Sequence, residues 1–289
     1  MKMNILVFGG NRFMGAEVVR MLSEMSMVTV WVVNRSGSAP FNSNPDNIKI
    51  WKGDRNDEHF YESFPFEEMH YVIDMCLYQP EQAQRIIDSI KWRGQGSILR
   101  YIFVSSVAAL QTDTELFGEY GTNKAEIERM LLSPRPSLPT DTPKYKAKYK
   151  NGHKQVSIIR PSYVLGHKGI TSHIHRDQYF RDCIEAGRPV EVDGDGEAEI
   201  SVCYAFEVVT TILDQLSADN YQHVINVGSK PISIKELIKL YGANSSNEPP
   251  LINYNSTSSL IPFPNKECTF GVHDITHETS VVKGVAWTK

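Results

Sequence analysis

Tyr120 and Lys124 are the residues whose types and spacing first suggest chemistry. They lie four positions apart in a helical pattern, so both side chains project from one face of a helix. A phenol with the ordinary pKa of ~10 is a poor base at neutral pH, and a nearby ammonium favours the phenolate and lowers that pKa. The pair therefore predicts a tyrosine whose pKa is lowered toward neutral pH. The alternative is a chance spacing on an amphipathic helix.

A glycine turn at residues 8–15, with the sequence Phe-Gly-Gly-Asn-Arg-Phe-Met-Gly, joins an apolar run to a helical pattern. In this context the helix N-terminus is aimed at a dinucleotide pyrophosphate. Gly9 would form the turn, and Gly15 would let helix and strand pack closely. Arg12 stands where a middle glycine is expected. Its guanidinium either binds a phosphate or is an exposed group beside a weaker site.

The second apolar run ends in Asn34-Arg35-Ser36 and carries no acidic residue there. An Asp or Glu about twenty residues past the glycine turn commonly binds the ribose 2′-hydroxyl of NAD, whereas a cation suits the 2′-phosphate of NADP. Arg35 therefore predicts NADP as the preferred cofactor, with NAD as the alternative. Asn34 and Ser36 are predicted to line the same site.

Apolar runs and helical patterns alternate along the first half of the chain, which is typical of βαβ crossovers and a parallel sheet covered on both faces. Strands are predicted at 4–8, 27–33, 48–51, 71–75, 101–105 and 155–159, and helices at 13–25, 81–92 and 119–132. The later half has shorter strands, predicted at 189–192, 200–202 and 223–227, helices near 173–186, 206–216 and 233–240, and an irregular segment at 242–269.

This order of elements predicts an α/β fold, a Rossmann-type doubly wound parallel sheet with a smaller C-terminal substrate lobe. Residues 1–165 are predicted to form the NAD(P)-binding domain, to which later segments return, and residues 166–289 to form mainly the substrate-binding lobe.

Several short motifs occur in an order that resembles the extended short-chain dehydrogenase/reductase family, which includes NAD(P)-dependent sugar-nucleotide epimerases and dehydratases. The resemblance covers nearly the whole chain. Besides the glycine turn, it rests on Gly53-Asp54-Arg55, Val104-Ser105-Ser106, Tyr120-Gly121-Thr122-Asn123-Lys124, Ile159-Arg160-Pro161, Val164-Leu165-Gly166, Asn226-Val227-Gly228 and the segment 274–287.

The resemblance implies that Tyr120 is the proton donor or acceptor on the substrate oxygen, that Lys124 holds the nicotinamide ribose and that Ser106 hydrogen-bonds the substrate carbonyl or hydroxyl. Hydride would pass between that carbon and the nicotinamide. Asp54 would contact adenine, its alternative role being a helix N-cap. The predicted cofactor-binding residues are Gly9, Asn11, Arg12, Phe13, Met14, Gly15, Asn34, Arg35, Ser36, Asp54, Arg55, Leu77, Lys124 and Pro161.

Two departures from the family pattern bear on the reaction. Val107 and Ala108 follow Ser106 where dehydratases of the family carry an Asp-Glu acid/base pair, so elimination of water lacks its usual residues. Only fourteen positions separate Ser106 from Tyr120, a short connection that removes material often found over the substrate.

The composition of the 289-residue chain argues against a nucleic-acid or anionic-membrane binder, because the net charge is −4. The basic, proline-rich segment 133–152 is predicted to be a surface insertion, with a basic recognition loop as the alternative. Four widely spaced cysteines predict reduced thiols, as in a cytosolic protein. They are Cys76, Cys183, Cys203 and Cys268. Neither a signal peptide nor a membrane span is predicted, so the expected location is cytoplasmic.

No metal site is predicted. The alternating acidic residues of 193–199 lack the glycine and glutamate positions of a calcium loop. The histidine pairs His173 with His175 and His273 with His277 have no indicated third ligand.

Two classes of function fit these observations. The first is an NADP-preferring oxidoreductase of the epimerase/reductase type: an epimerase would keep its cofactor, and a carbonyl reductase would release it. The second is a non-catalytic NADP-binding sensor, scaffold or RNA-binding protein on the same fold, since fold alone does not define function. The expected partner is a small-molecule substrate such as a sugar nucleotide, and a homodimer is a family-level expectation.

Overall fold

The computed structural model describes residues 2–42, 45–90, 98–110, 114–133, 155–165, 175–193, 195–216, 223–242 and 252–255. The strands are β1 (Met3–Phe8), β2 (Val28–Asn34), β3 (Ile48–Lys52), β4 (Tyr71–Asp74), β5 (Arg100–Val104), β6 (Val156–Pro161), β7 (Tyr163–Leu165), β8 (Val190–Asp193), β9 (Glu199–Ile200), β10 (Val202–Tyr204), β11 (Val224–Val227), β12 (Ile232–Ser233) and β13 (Ile252–Asn255). The α-helices are α1 (Phe13–Ser23), α2 (Glu58–Ser63), α3 (Pro80–Ser89), α4 (Thr114–Leu132), α5 (His175–Glu185), α6 (Ala205–Asp214) and α7 (Ile234–Gly242), and 3-10 helices span Phe66–Glu68 and Val107–Leu110.

Seven strands form one sheet in the order β11-β6-β5-β4-β1-β2-β3. All of its neighbouring strands run parallel. The direction of winding reverses between β1 and β4, and ligands of such sheets bind beyond the carboxyl ends of the strands at this point. The predicted Rossmann-type doubly wound sheet is therefore confirmed.

The first strand is buried on both faces, as a central parallel strand must be. Ile5 and Val7 pack into one hydrophobic cluster with helix α1, whereas Leu6 and Phe8 pack into a second cluster on the opposite face of the sheet. This alternation follows from the two-residue period of a β-strand. It fixes the carboxyl end of β1, and hence the start of the glycine turn, in the middle of the molecule.

A third hydrophobic cluster lies apart from the main sheet and joins β7, β8, β10, α5 and α7. Three two-stranded sheets surround it, pairing β10 with β7, β12 with β9 and β13 with β8. Segments of the later chain also return to the main sheet: β11 is its edge strand, and α6 packs against α1 and β6.

Several predicted elements differ from the structure. The predicted strand 200–202 is two short strands, β9 and β10, that pair with different partners. The range 242–269, predicted as irregular, contains β13, whose pairing with β8 across more than fifty residues could not be seen in local pattern. Helix α4 begins at Thr114 but is interrupted at Gly118, which has φ of 52°, so its regular part starts close to the predicted residue 119.

Most of the predicted insertion 133–152 and all of segment 274–287 lie outside the described residues. Among the described residues, no three His, Cys, Asp or Glu side chains form a group that could hold a metal ion. Within the same ranges, no helix has both the length and the apolar composition needed to cross a bilayer.

Candidate active site

A cavity of about 440 Å³ opens at the carboxyl ends of the central strands, between the main sheet and the smaller lobe. This is the edge at which the sheet reverses its winding, where ligands of this architecture bind. Its lining residues are Phe13, Met14, Met75, Tyr78, Val104, Ser105, Ser106, Val107, Tyr120, Lys124, Pro161, Ser162, Tyr163, Val164, Ile200 and Ser201.

The glycine turn forms one side of this site and leaves no room for side chains. Gly9 has φ of 80°, a conformation that favours glycine. A Cβ on Gly15 would lie 2.0 Å from the carbonyl oxygen of Gly9. The backbone of the turn and the start of α1 are thus in direct contact, as the sequence predicts.

The N-terminus of α1 has the properties of an anion site. Arg12 is the N-cap residue, and neither its side chain nor an acidic residue of the first turn satisfies the helix amides. Unpaired amides at a helix N-terminus carry partial positive charge and attract phosphate. Phe13, with φ of 49°, and Met14 line the cavity next to this terminus. The turn, the uncapped helix and the adjacent cavity together fit a dinucleotide pyrophosphate.

The loop after β2 is tied to the glycine turn by side-chain amides. Asn34 Nδ2 donates to Asn11 Oδ1 (3.0 Å), and Asn11 Nδ2 donates to the Ser38 carbonyl (2.9 Å). Ser36 Oγ donates to Asn34 Oδ1 (2.9 Å), which also accepts from the Ser38 amide. Both asparagines therefore position the loop, and Ser38 is a member of this network that sequence reasoning missed. Arg35 and Ser36 are exposed on the loop.

Arg55, predicted to bind cofactor, is instead used inside the protein. Its Nη1 and Nη2 lie 2.8 and 2.7 Å from the two carboxylate oxygens of Asp74, and the two side chains are 8% and 0% exposed. Tyr101 donates to the same carboxylate at 2.5 Å. Burial alone would raise the pKa of Asp74, but the Arg55 guanidinium and these hydrogen bonds lower it. Arg55 is drawn inward because an ionised carboxylate without a partner would be very costly there.

Two further predicted cofactor residues are not among those that line the cavity. Asp54 accepts a hydrogen bond from the Asn56 amide (2.9 Å) and is not a helix cap, since Asp57 caps α2 by accepting from the His59 amide. Leu77 is fully buried in the core on one face of the sheet and is not among the residues lining the cavity.

The three predicted catalytic residues do meet in the cavity. Lys124 is 2% exposed, and its Nζ donates to the Val104 carbonyl (3.1 Å) and lies 5.7 Å from the centre of the Tyr120 ring. Ser106 follows β5, and its hydroxyl accepts from the Ala108 amide at 3.2 Å. Tyr120 is 42% exposed at the cavity wall. Residues from two separate elements, β5 with its following loop and helix α4, are thus brought to one place.

The predicted lowering of the Tyr120 pKa is wrong for the chain by itself. Burial raises the pKa of Tyr120, and a hydrogen bond with Ser106 offsets only part of that rise. Burial also lowers the pKa of Lys124 to about 8. The ammonium is directed to a backbone carbonyl rather than to the phenol oxygen, so desolvation dominates for both groups. At neutral pH the site therefore holds Tyr120 as a neutral phenol.

Two further features surround Lys124, of which sequence reasoning missed Glu128. Tyr78 lines the cavity, and its ring centre lies 6.5 Å from that of Tyr120. Glu128 is 4% exposed and accepts from Arg160 Nε (3.0 Å) and Nη2 (2.5 Å). Glu128 follows Lys124 by four positions, so the same helix-face argument applied to Tyr120 would have included it.

The chain matches the NAD dependent epimerase/dehydratase family over residues 5–228. No curated protein matches the sequence. Among solved structures, UDP-glucuronic acid 4-epimerase from Bacillus cereus, in complex with UDP-glucuronic acid and NAD, is similar with a TM-score of 0.65 and 15% identity over 87% of this chain and 86% of that one.

Two other solved structures are similar to the same degree. UDP-N-acetylglucosamine 4-epimerase from Methanobrevibacter ruminantium has a TM-score of 0.64 and 19% identity over 90% of this chain and 87% of that one. UDP-glucose 4-epimerase from Thermotoga maritima has a TM-score of 0.61 and 22% identity over 87% of this chain and 86% of that one. At these identities the likeness concerns the fold. Because the family match spans well over half of its length, the chain belongs to the NAD dependent epimerase/dehydratase family.

Proposed function

We propose that the protein is an NAD(P)-dependent epimerase that acts on a sugar nucleotide, with Tyr120 as the acid/base. The observation that carries the proposal is the meeting of Tyr120, Lys124 and Ser106 in one cavity, which the start of α1 also lines. Hydride transfer needs a nicotinamide and a proton-exchanging group around one substrate carbon, and the shared cavity supports such an arrangement.

The residues of the site would divide the chemistry as follows. The bound cofactor supplies a hydride acceptor and donor. Ser106 and Tyr120 hydrogen-bond the substrate oxygen, and Tyr120 Oη takes the hydroxyl proton as the carbon is oxidised and returns it when the carbon is reduced. Since Tyr120 is a neutral phenol in the chain alone, it acts as a base only after positive charge in the loaded cavity lowers its pKa.

An epimerase fits this site better than a dehydratase. Val107 lines the cavity directly after Ser106, and Ala108 is buried, so these two positions offer no acid/base pair for removing water. A simple carbonyl reductase draws no support from the compared structures, which are 4-epimerases of UDP-sugars. The same structures support a UDP-sugar as the substrate. No observation favours a sensor, scaffold or RNA-binding role.

The division of the chain is part of this proposal. Residues 1–165 and the returning segments would bind the cofactor, and residues 166–289 would supply most of the substrate contacts. Ile200 and Ser201 of the later segment line the cavity opposite the sheet. Tyr163, which precedes the proposed boundary, already packs in the cluster of the smaller lobe.

The test is turnover by a Tyr120→Phe variant. Purified protein is incubated with UDP-glucose, UDP-glucuronic acid and UDP-N-acetylglucosamine, and the epimeric products are separated by chromatography. We expect the wild type to epimerise at least one of them, and Tyr120→Phe to be about 10²–10⁴-fold slower because the proton carrier is removed. Cofactor affinity, measured by titration, should stay within a factor of about three, because no positive charge or phosphate contact is lost.

Tyr204→Phe is the matched control, since Tyr204 is similarly exposed (40%) but does not line the cavity. It should turn over like the wild type. Full activity in Tyr120→Phe would reject the proposed acid/base, and tight cofactor binding with no turnover of any sugar nucleotide would reject the enzyme.

A further inference from the structure

The ammonium of Lys124 is surrounded by aromatic rings. Its Nζ lies 4.7 Å from the centre of the Phe103 ring, 4.9 Å from that of Tyr78 and 5.7 Å from that of Tyr120. An ammonium within about 6 Å of a ring centre is attracted by the negative face of the π system, and more strongly where water is excluded. With Lys124 only 2% exposed, water is largely excluded here.

The charged groups around Lys124 form their hydrogen bonds with other residues. Asp74, at the end of β4, is bound by Arg55 and Tyr101, and Arg55 places its own positive charge nearby. Glu128, on the same helix as Lys124, is bound by Arg160. Cys76, after β4, is a neutral thiol because burial raises its pKa to about 11.

Within the described part of the chain, the hydrogen bond of Lys124 Nζ goes to the Val104 carbonyl alone. An ammonium has three N–H donors. Besides the through-space attraction of Asp74 and Glu128, the ring faces are the groups that compensate for the water that the charge has lost.

Of the three rings, that of Tyr78 belongs to a loop. Tyr78 lies between β4 and α3, where its backbone amide and that of Gln79 donate to Gln82 Oε1 (3.1 and 3.3 Å). Phe103 is a fully buried residue of β5 that the core requires in any case, and Tyr120 belongs to the proposed chemistry. Tyr78 is 48% exposed, so packing of the core does not account for a large aromatic side chain at this position.

We propose that Tyr78 is a positioning residue, whose ring face keeps the Lys124 ammonium charged and in place at the cavity wall near Tyr120. Its catalytic consequence rests on the proposed function, whereas the contact itself does not. The phenol oxygen of Tyr78 plays no part in this role, because the ring face makes the contact. Partial desolvation by its neighbours raises the pKa of Tyr78 to about 12, so the phenol also brings no negative charge.

The direct test follows the titration of Lys124 in the full chain. Protein labelled with ¹³C-lysine is titrated by NMR between pH 6 and 11, and the Lys124 signal is assigned by its disappearance in Lys124→Met. In Tyr78→Leu the midpoint should fall by about 0.5 to 1 pH unit, because an apolar side chain keeps water out but offers no ring face. Tyr78→Phe keeps the ring and should titrate at the wild-type pH.

An unchanged or higher midpoint in Tyr78→Leu would overturn the proposal, and so would a lower midpoint in Tyr78→Phe. Tyr78→Met serves as a second ring-free variant if Tyr78→Leu does not fold. This readout needs neither cofactor nor substrate, so its result stands even if no epimerase activity is found.

The catalytic consequence is tested separately with the sugar nucleotide that the wild type epimerises. In Tyr78→Leu the alkaline limb of the kcat/KM profile, which reports groups of the free enzyme, should move to lower pH in the same direction as the NMR midpoint. A shifted midpoint with an unshifted kcat/KM profile would overturn the positioning role and leave the ring contact intact. Loss of binding alone, as a raised KM with an unchanged pH profile, would also contradict it.

Discussion

At the scale of single residues, Gly15 has the closest approach of other atoms among the described glycines that were probed with an added Cβ. A Cβ there would meet the Gly9 carbonyl oxygen at 2.0 Å and its carbonyl carbon at 2.9 Å. Both contacts are with backbone, so no flexible side chain can move to relieve them. The turn and α1 would have to separate, which would also displace the helix N-terminus proposed to bind phosphate.

Gly15→Ala should therefore lower the free energy of unfolding by about 3 kcal/mol or more, at the upper end of the range for overpacking. Urea denaturation followed by circular dichroism measures the change. Gly187→Ala is the control, because Gly187 has φ of 63° but no atom within 4 Å of the added Cβ, so only backbone strain of about 1 kcal/mol is expected. Equal losses in the two variants would show that the close approach is not what Gly15 provides.

At the scale of elements, the buried Arg55–Asp74 pair joins segments that are not adjacent in the sheet. Arg55 follows β3 and Asp74 ends β4, while β1 and β2 lie between these strands. The Arg55 guanidinium crosses the end of β1, where it lies 4.8 Å from the centre of the Phe8 ring. The pair thus joins the segment after β3 to the end of β4, from which the loop to Tyr78 starts, and passes the end of β1, from which the glycine turn starts.

Arg55→Met should cost about 3–5 kcal/mol of stability, because it leaves the carboxylate of Asp74 buried without its partner. Arg20→Met removes an exposed arginine that pairs with Glu17 and Glu24 and should cost at most about 1 kcal/mol. Chemical denaturation at pH 7 compares the two, and a cost for Arg55→Met as small as that for Arg20→Met would contradict the role of the pair.

The difference in stability between wild type and Arg55→Met should also depend on pH. The folded-state pKa of Asp74 is lower than its unfolded value, so the stabilisation is complete above the unfolded pKa of ~3.9 and is lost as the pH falls through the folded one. In Arg55→Met the pKa of Asp74 should lie above its ordinary value, because burial raises it and the guanidinium that lowers it is gone. The gap in stability between wild type and Arg55→Met should therefore begin to narrow above pH 4, and it should go on narrowing until the pH has fallen through the lower folded pKa of the wild type.

At the scale of the whole molecule, cofactor binding should raise the free energy of unfolding. A ligand that binds only the folded chain adds about 2.7 kcal/mol at one hundred times its Kd. The choice between NAD and NADP is predicted to depend on a different region, the exposed loop after β2 that the two asparagines hold against the glycine turn. The sequence predicts NADP from Arg35, and the Bacillus cereus structure compared above contains NAD.

We expect NADP to raise Tm more than NAD at equal concentration, and Arg35→Ala to weaken NADP binding about tenfold or more, as for a lost charge-assisted hydrogen bond. NAD binding to this variant should be nearly unchanged, which provides the internal control. Calorimetric titration measures both. Equal losses for the two cofactors, or a wild type that prefers NAD, would remove Arg35 as a determinant of cofactor choice.

The sequence by itself determined the doubly wound sheet, the glycine turn and the candidate residues Ser106, Tyr120 and Lys124. These could be read because strand periods, helix periods and short motifs are local properties of the chain. The tertiary structure alone decided that Arg55 forms a buried ion pair with Asp74, that the Tyr120 phenol stays protonated and that the Tyr78 ring faces Lys124. These outcomes depend on which residues, distant in sequence, are brought together where water is largely excluded. For Tyr120 and Lys124, loss of water shifts the pKa values more than their closeness on one helix does.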